Sequence, residues 1–300
     1  MQDLAVTPPL FKETVFDDPS IRDLSKVGVI DIGSNSVRLV VFDGAARSPA
    51  YFFNEKIMCG LGVGLSLNGK LNPSGRVRAI DAIARFKHLA LSMGIQELTA
   101  IATAAVRTAS DGQDFCKEVL EKTGQFIAVI SGEEEAKLSA QGVLTGWPGA
   151  YGLVCDLGGT SLELAEISNG QVGKCASSEL GPLKLMDISK KKERLEFIKS
   201  ELSDLAKSFS PRNNRLFLVG GSWRALARID MERCDHPLRV LHEYRMEKKT
   251  IKDLKHFIKD QGLENVAKQC SISGNRIMFI PYAIEVLEKL SNIFRSKDIA

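Results

Sequence analysis

Several things are missing from this sequence, and each absence removes a class of protein. The four histidines have no spacing that would hold zinc. The six cysteines, Cys59, Cys116, Cys155, Cys175, Cys234 and Cys270, are scattered, with no Cys-x-x-Cys among them. Cys155 sits in an apolar run, and the set reads as reduced thiols in a cytoplasmic protein. No apolar run approaches membrane-spanning length. The N-terminus also lacks the basic, apolar and small-residue order of a signal peptide, so no membrane partner is expected. A net charge of +3 is too small to argue for nucleic acid. The glycine-rich stretch from Gly60 to Lys70 is not followed by Lys-Ser/Thr, which excludes a nucleotide P-loop. What remains is a 300-residue chain of ordinary globular composition, long enough for two domains with a core each.

What is present centres on Asp156-Leu157-Gly158-Gly159-Thr160-Ser161-Leu162-Glu163-Leu164. The apolar run Tyr151–Cys155 before it reads as a buried strand, and Leu162–Ile167 after it as a strand running back. The turn between them carries two glycines and two hydroxyls. Glycines without Cβ let backbone N–H groups approach phosphate oxygens, and Thr160 and Ser161 add donors. Asp156 repels phosphate, so its natural partner is a bridging divalent cation such as Mg²⁺. A plain hairpin turn would explain one such stretch, but a second copy exists. Val27 to Asp43 repeats apolar strand, Asp31-x-Gly33, the hydroxyl-rich turn Ser34-Asn35-Ser36 and alternating strand. The wide separation of the two copies suits two similar domains, with a phosphate chain held in a cleft between facing hairpins.

Elsewhere, residues 1–26 read as a flexible arm with a short helix near Ile21, and Tyr51–Phe53 as a third strand. The Gly60–Lys70 stretch is either a mobile loop or a surface connector. Asn72-Pro73 opens a helix whose core face is Val77, Ile80, Ile83, Ala84, Phe86 and Ala90. Leu98–Thr103 is a buried strand leading to Arg107, whose fork of donors suits phosphate, or else a surface ion pair. A helix over Asp114–Lys122 and a strand over Phe126–Ile130 follow. Glu133, Glu134 and Glu135 then open the helix that links the two copies. The helix dipole alone favours them there, but one could orient and deprotonate an attacking water. The cluster Lys190-Lys191-Lys192 with Arg194 is a solvated face or an attraction for a polyanion. Leu216–Val219 enters Gly220-Gly221-Ser222-Trp223-Arg224, placing helix N–H groups and Arg224 near an anion. Ile251–Ile258 reads as a short helix. Asn275–Phe294 reads as mostly helix, with Pro281 as a start or kink, and 296–300 as the approach to another strand.

Five stretches in order carry a resemblance: Val29–Ser36, Ala102–Arg107, Ser131–Ala136, Asp156–Glu163 and Gly220–Leu226. Together they resemble the exopolyphosphatase / guanosine pentaphosphate phosphohydrolase (Ppx/GppA) family, from about Val27 onward. The resemblance implies an α/β fold of the actin-like ATPase superfamily, with two ribonuclease H-like domains, here 27–139 and 140–300, and an interdomain cleft. It implies release of terminal phosphate from inorganic polyphosphate or guanosine pentaphosphate with Mg²⁺ as cofactor. It puts the catalytic glutamate at Glu135, and Arg107 is a second catalytic candidate that would position phosphate oxygens. Asp156, Glu163 and Asp31 would hold the metal, and Ser34, Asn35, Gly158, Gly159, Thr160, Ser161, Gly221 and Arg224 the phosphates. Thr160 stands where the family often has a third Gly, and Asp111 where it often has Asn, which would add negative charge near Arg107. The family usually continues past the position of Ala300, so the second domain's C-terminal end is expected to be incomplete. A homodimer is compatible with the resemblance. A kinase or ATPase of the same fold would use Gly220–Leu226 for adenosine, with Trp223 stacking on the base, and a polyphosphate-binding subunit without catalysis is the third reading.

Overall fold

The structure, a computed structural model, describes residues 26–42, 51–95, 98–209 and 215–300, apart from the side chain of Asn275. The expected arm and the helix near Ile21 lie outside the described residues. The chain forms two compact units. One contains the described residues up to Leu65 with Gly69–Ile130, and the other Ser66–Asn68 with Ser131–Ala300. The two units part at Ile130/Ser131, and the helix that follows packs on strands of the second unit.

The first unit begins with β1 (Val27–Ile32), β2 (Ser36–Phe42) and β3 (Tyr51–Met58), then α1 (Leu65–Asn68), α2 (Pro73–Ser92), β4 (Leu98–Ala102), α3 (Ala104–Thr108), α4 (Gly112–Thr123) and β5 (Ala128–Val129). Its five-stranded sheet runs in the order β3-β2-β1-β4-β5; β1 is antiparallel to β2 and parallel to β4. Asn72 caps α2, its side chain accepting from Gly75 N–H at 2.8 Å, and Pro73 occupies the first turn. Ile80, Ile83, Phe86 and Ala90 are buried as expected, together with Ala79 and Ala82. Val77 is 59% exposed, against expectation. At roughly 100° per residue it points about 200° away from Ala79, off the face that meets the sheet.

The second unit contains α5 (Gly132–Gly146), β6 (Gly152–Leu157), β7 (Leu162–Ser168), β8 (Gln171–Ser178), α6 (Pro182–Met186), α7 (Lys191–Ala206), β9 (Arg215–Val219), α8 (Gly221–Arg233), β10 (Met246–Glu247), α9 (Thr250–Gln261), α10 (Leu263–Gln269), α11 (Gly274–Ile277), α12 (Ile280–Ile293) and β11 (Asp298–Ile299). Its sheet order, β10-β11-β9-β6-β7-β8, reads from the other edge as the first unit's order plus one strand. Here β6 takes the place of β1, and β9 and β11 the places of β4 and β5. At the fifth position β11 runs parallel to β9, and Ala300 exchanges backbone hydrogen bonds with Leu216 and Leu218. Pro281 starts α12 rather than kinking it, since its missing N–H costs nothing in a first turn. Ile280, Ile284, Leu287 and Leu290 of α12 pack into the core with Trp223, Ile198 and Leu202.

Candidate active site

The two hairpin turns close in the same way. Gly33 N–H donates to Ser36 O, and Gly158 N–H to Ser161 O, each at 3.0 Å. The cross-strand partners of the two aspartates differ, however. Asp31 is in register with Arg38, whereas Asp156 is in register with Glu163, and Glu163 with Ser177 on the next strand. Residues directly opposite in antiparallel strands share a face, so Asp156, Glu163 and Ser177 form a row across the second sheet. Ser177 Oγ donates to Glu163 Oε1 at 2.9 Å, and the Ser161 hydroxyl is a second partner of the same carboxyl. Glu163 is 1% exposed. Burial, and then the charges of Glu135 and Asp156, push its carboxyl well above the usual range, against the two serines. Burial also raises Asp156, opposed by the Ser139 hydroxyl, which donates to Oδ2, and by the charge of Arg224.

Three consecutive glutamates open α5, and the helix sends them in different directions. Ser131 and Glu134 form a capping box: Glu134 N–H donates to Ser131 Oγ at 3.1 Å, and Ser131 N–H to Glu134 Oε2 at 2.7 Å. Those bonds hold the Glu134 carboxyl below its ordinary value. Glu133 acts on Cys175, and Glu135 is the one whose charge reaches Glu163. The helix α5 lies across β6, β7 and β8 and so sets Glu135 beside the carboxylate row.

The start of α8 closes another side of the same site. Gly220 has φ 119°, and a Cβ there would stand 2.6 Å from Leu157 O and 3.4 Å from Asp156 Oδ1. Only glycine lets the helix begin against the end of β6. Arg224 is exposed, with Nε donating to Gly220 O at 3.3 Å. Beside Gly221 lies the Arg276 guanidinium, 3.1 Å from where a Cβ would be. Arg276 is held below its usual pKa by burial and by the Arg228 charge. Sequence reading missed it, because that segment was read for its apolar spacing alone. The Gly158–Ser161 turn is buttressed by Gly181, where a Cβ would overlap Thr160, and by Leu183 N–H donating to Gly159 O at 2.9 Å. Trp223, by contrast, is 1% exposed and donates from Nε1 to Ala283 O at 3.4 Å. It is a core residue and offers no face to a base.

In the first unit, the carbonyls of Ser34 and Asn35 accept from Gly62, and from Cys59 and Gly60, at 2.7 to 3.0 Å. The glycine-rich stretch is thus laced to the turn and folds partly into α1. Ser34 is 5% exposed, and Asp31 is exposed. Arg107 is half-buried and donates from Nη1 to Ile130 O at 2.9 Å, so part of its fork holds the end of β5. Asp111 is committed to Leu71 N–H at 2.9 Å and to Arg76 at 3.3 Å. Its carboxylate therefore closes the start of the first unit's helices.

Residues 40–300 match the Ppx/GppA phosphatase family. This chain belongs to that family. Exopolyphosphatase 1 of Mycobacterium tuberculosis (strain H37Rv) is 34% identical over 143 residues, which are 47% of this chain and 42% of that protein. The M. leprae protein of the same name is 33% identical over 148 residues, covering 48% and 43%. The matched stretch is thus less than half of each relative. A solved exopolyphosphatase from Cytophaga hutchinsonii superposes with TM-score 0.82 at 22% identity, over 92% of this chain and 93% of that one. The Aquifex aeolicus Ppx/GppA family member gives 0.74 at 24%, over 92% of both. At that identity the likeness shows the fold, a mixed α/β arrangement with two sheets.

Members of the Ppx/GppA family were expected, from the resemblance, to use Mg²⁺. Among the described residues no three His, Cys, Asp or Glu side chains form a metal cage. Asp156 and Glu163 fit a different arrangement. Mg²⁺ dehydrates reluctantly, keeps several waters, and is held by one or two carboxylates plus substrate phosphates. Two adjacent carboxyls driven upward by burial, Glu163 also by the charges of Glu135 and Asp156, are a donor set that a divalent cation would relieve. Among the described residues no helix is long and apolar enough to cross a membrane, and all six cysteines are free.

Proposed function

We propose that this chain is an exopolyphosphatase, releasing terminal orthophosphate from inorganic polyphosphate by attack of water. The observation that carries the reading is Glu135 beside the buried Asp156–Glu163 pair, at a glycine turn and a helix start that favour anions. Glu135 takes the proton from the attacking water. Glu134, the alternative base, is occupied by the capping box. Asp156 and Glu163, with Asp31 as a further ligand, would hold Mg²⁺, which would supply positive charge against the substrate's phosphates. Gly158, Gly159 and Thr160 present backbone and hydroxyl donors. Ser161 supports Glu163 instead of facing phosphate. Gly221, Arg224 and Arg276 neutralise phosphate charge in the second unit, and Ser34, Asn35 and Arg107 do so in the first. Phosphoryl transfer needs little covalent chemistry from protein, so these groups act by positioning and charge stabilisation.

The kinase or ATPase reading loses its base-stacking residue, because Trp223 is in the core. The catalytically silent reading leaves the grouping of Glu135 with Asp156 and Glu163 unexplained. The test is phosphate release from long-chain polyphosphate, guanosine pentaphosphate and ATP, measured in parallel. Release from polyphosphate well above the other two is expected. Preference for guanosine pentaphosphate would move the substrate assignment within the family, and release from none would leave a binding protein.

A further inference from the structure

We propose that Ser139 is a positioning residue that fixes the Asp156 carboxylate for the cation, and that this single hydroxyl also sets the placement of Glu135. The inference rests on reading Asp156 as a cation ligand. Ser139 stands four residues after Glu135 on α5, so the two share one helix face one turn apart. That face lies on β6, β7 and β8, where the carboxylate row runs. The Ser139 hydroxyl donates to Asp156 Oδ2, crossing from helix to strand. The other oxygen, Oδ1, lies on the Gly220 side, 3.4 Å from where a Cβ of that residue would be, beside the start of α8. One carboxylate oxygen is therefore held by protein and the other directed toward the anion-favouring end of the site. Partners that hold metal ligands in this way govern affinity as the ligands themselves do. The bond is also a polar side-chain link between α5 and the end of β6, so losing it frees both the plane of Asp156 and the seat of the helix that carries Glu135. Ser139 lies outside the five stretches that carry the family resemblance, so no motif marks it.

The experiment compares Ser139→Ala, Ser139→Thr and Ser139→Val in the full chain. Thr and Val fill nearly the same volume and differ by the hydroxyl, so their difference isolates the hydrogen bond from packing, even if Ala loosens the helix. Two readouts are taken: Mg²⁺ and Mn²⁺ binding by calorimetry without substrate, and the Mg²⁺ dependence of phosphate release. Ser139→Ala and Ser139→Val should weaken cation binding by about 10-fold or more and raise the Mg²⁺ needed for half-maximal release. Ser139→Thr should stay close to the parent protein. Equal cation affinity in the Thr and Val variants overturns the inference while leaving the proposed function standing. A parent protein that binds no divalent cation and releases no phosphate overturns both.

Discussion

Glu133, Glu134 and Glu135 are neighbours of identical chemistry with three different roles, because each step along a helix turns the side chain by about 100°. Glu134 reaches back to the helix cap, Glu133 acts on Cys175, and Glu135 acts on Glu163. Replacing Glu135, the proposed base, with Gln keeps the shape and removes the proton acceptor. Phosphate release from polyphosphate should fall by about 10²–10⁴-fold with polyphosphate binding largely kept. Glu134→Gln retains an oxygen acceptor for the Ser131 N–H and should keep most of the activity. Steady-state phosphate release with a parallel binding titration checks both, and normal turnover of Glu135→Gln would transfer the base role elsewhere. Arg194 makes the same point about context. In sequence it stands with Lys190-Lys191-Lys192, a solvated face or an attraction for a polyanion, yet it donates from Nε and Nη2 to both oxygens of Glu285, at 2.7 and 3.1 Å.

That pair ties α7 to α12, and at the level of elements it carries a prediction. Both side chains are 12% exposed, and Arg194 Nη1 also donates to Ile188 O at 3.0 Å. Removing one member strands a charge that is shielded from water. Glu285→Ala should destabilise the fold by roughly 3 kcal/mol, the low end for buried pairs, since some water contact remains; urea unfolding measures it. At the sheet's end, β11 is held by Asp298, which accepts from Arg215 Nε and Nη2 at 2.9 and 2.6 Å. These hydrogen bonds, aided by the charges of Arg215 and Arg245, hold the Asp298 carboxyl below its ordinary 3.8. A depressed carboxyl contributes stability that is present above its unfolded value and lost as pH falls through the folded one. The Tm of Asp298→Asn should therefore lie below that of the parent at neutral pH, and the two should converge below pH 3.8. A constant gap across the titration would remove the ion pair as the cause.

On the scale of the whole molecule, one sheet order occurs twice, and the copies differ at the residue facing the aspartate. The position facing the first aspartate is Arg38, and the one facing the second is Glu163, so the carboxylate pair arises in one unit. A cation requirement should therefore be visible globally. Chelation with EDTA should abolish phosphate release, and added Mg²⁺ should restore it. A saturating cation should also raise the Tm of the parent, since a ligand at about 100 times its Kd adds about 2.7 kcal/mol. Release that persists in EDTA would remove the cation from the mechanism. The sequence by itself determined the repeated strand–turn–strand, the capped α2, the start of α5, and the grouping of acidic, hydroxyl and glycine residues, because these depend on local spacing and backbone preference. Only the tertiary structure decided that Trp223 is core, that Asp111 and Arg194 are tied to Arg76 and Glu285, and that Arg276 stands beside Gly221. It also placed Ser139 on Asp156 and brought β11 back to β9. Those partners lie far apart along the chain, and a contact made by folding leaves no periodicity in the sequence from which to read it.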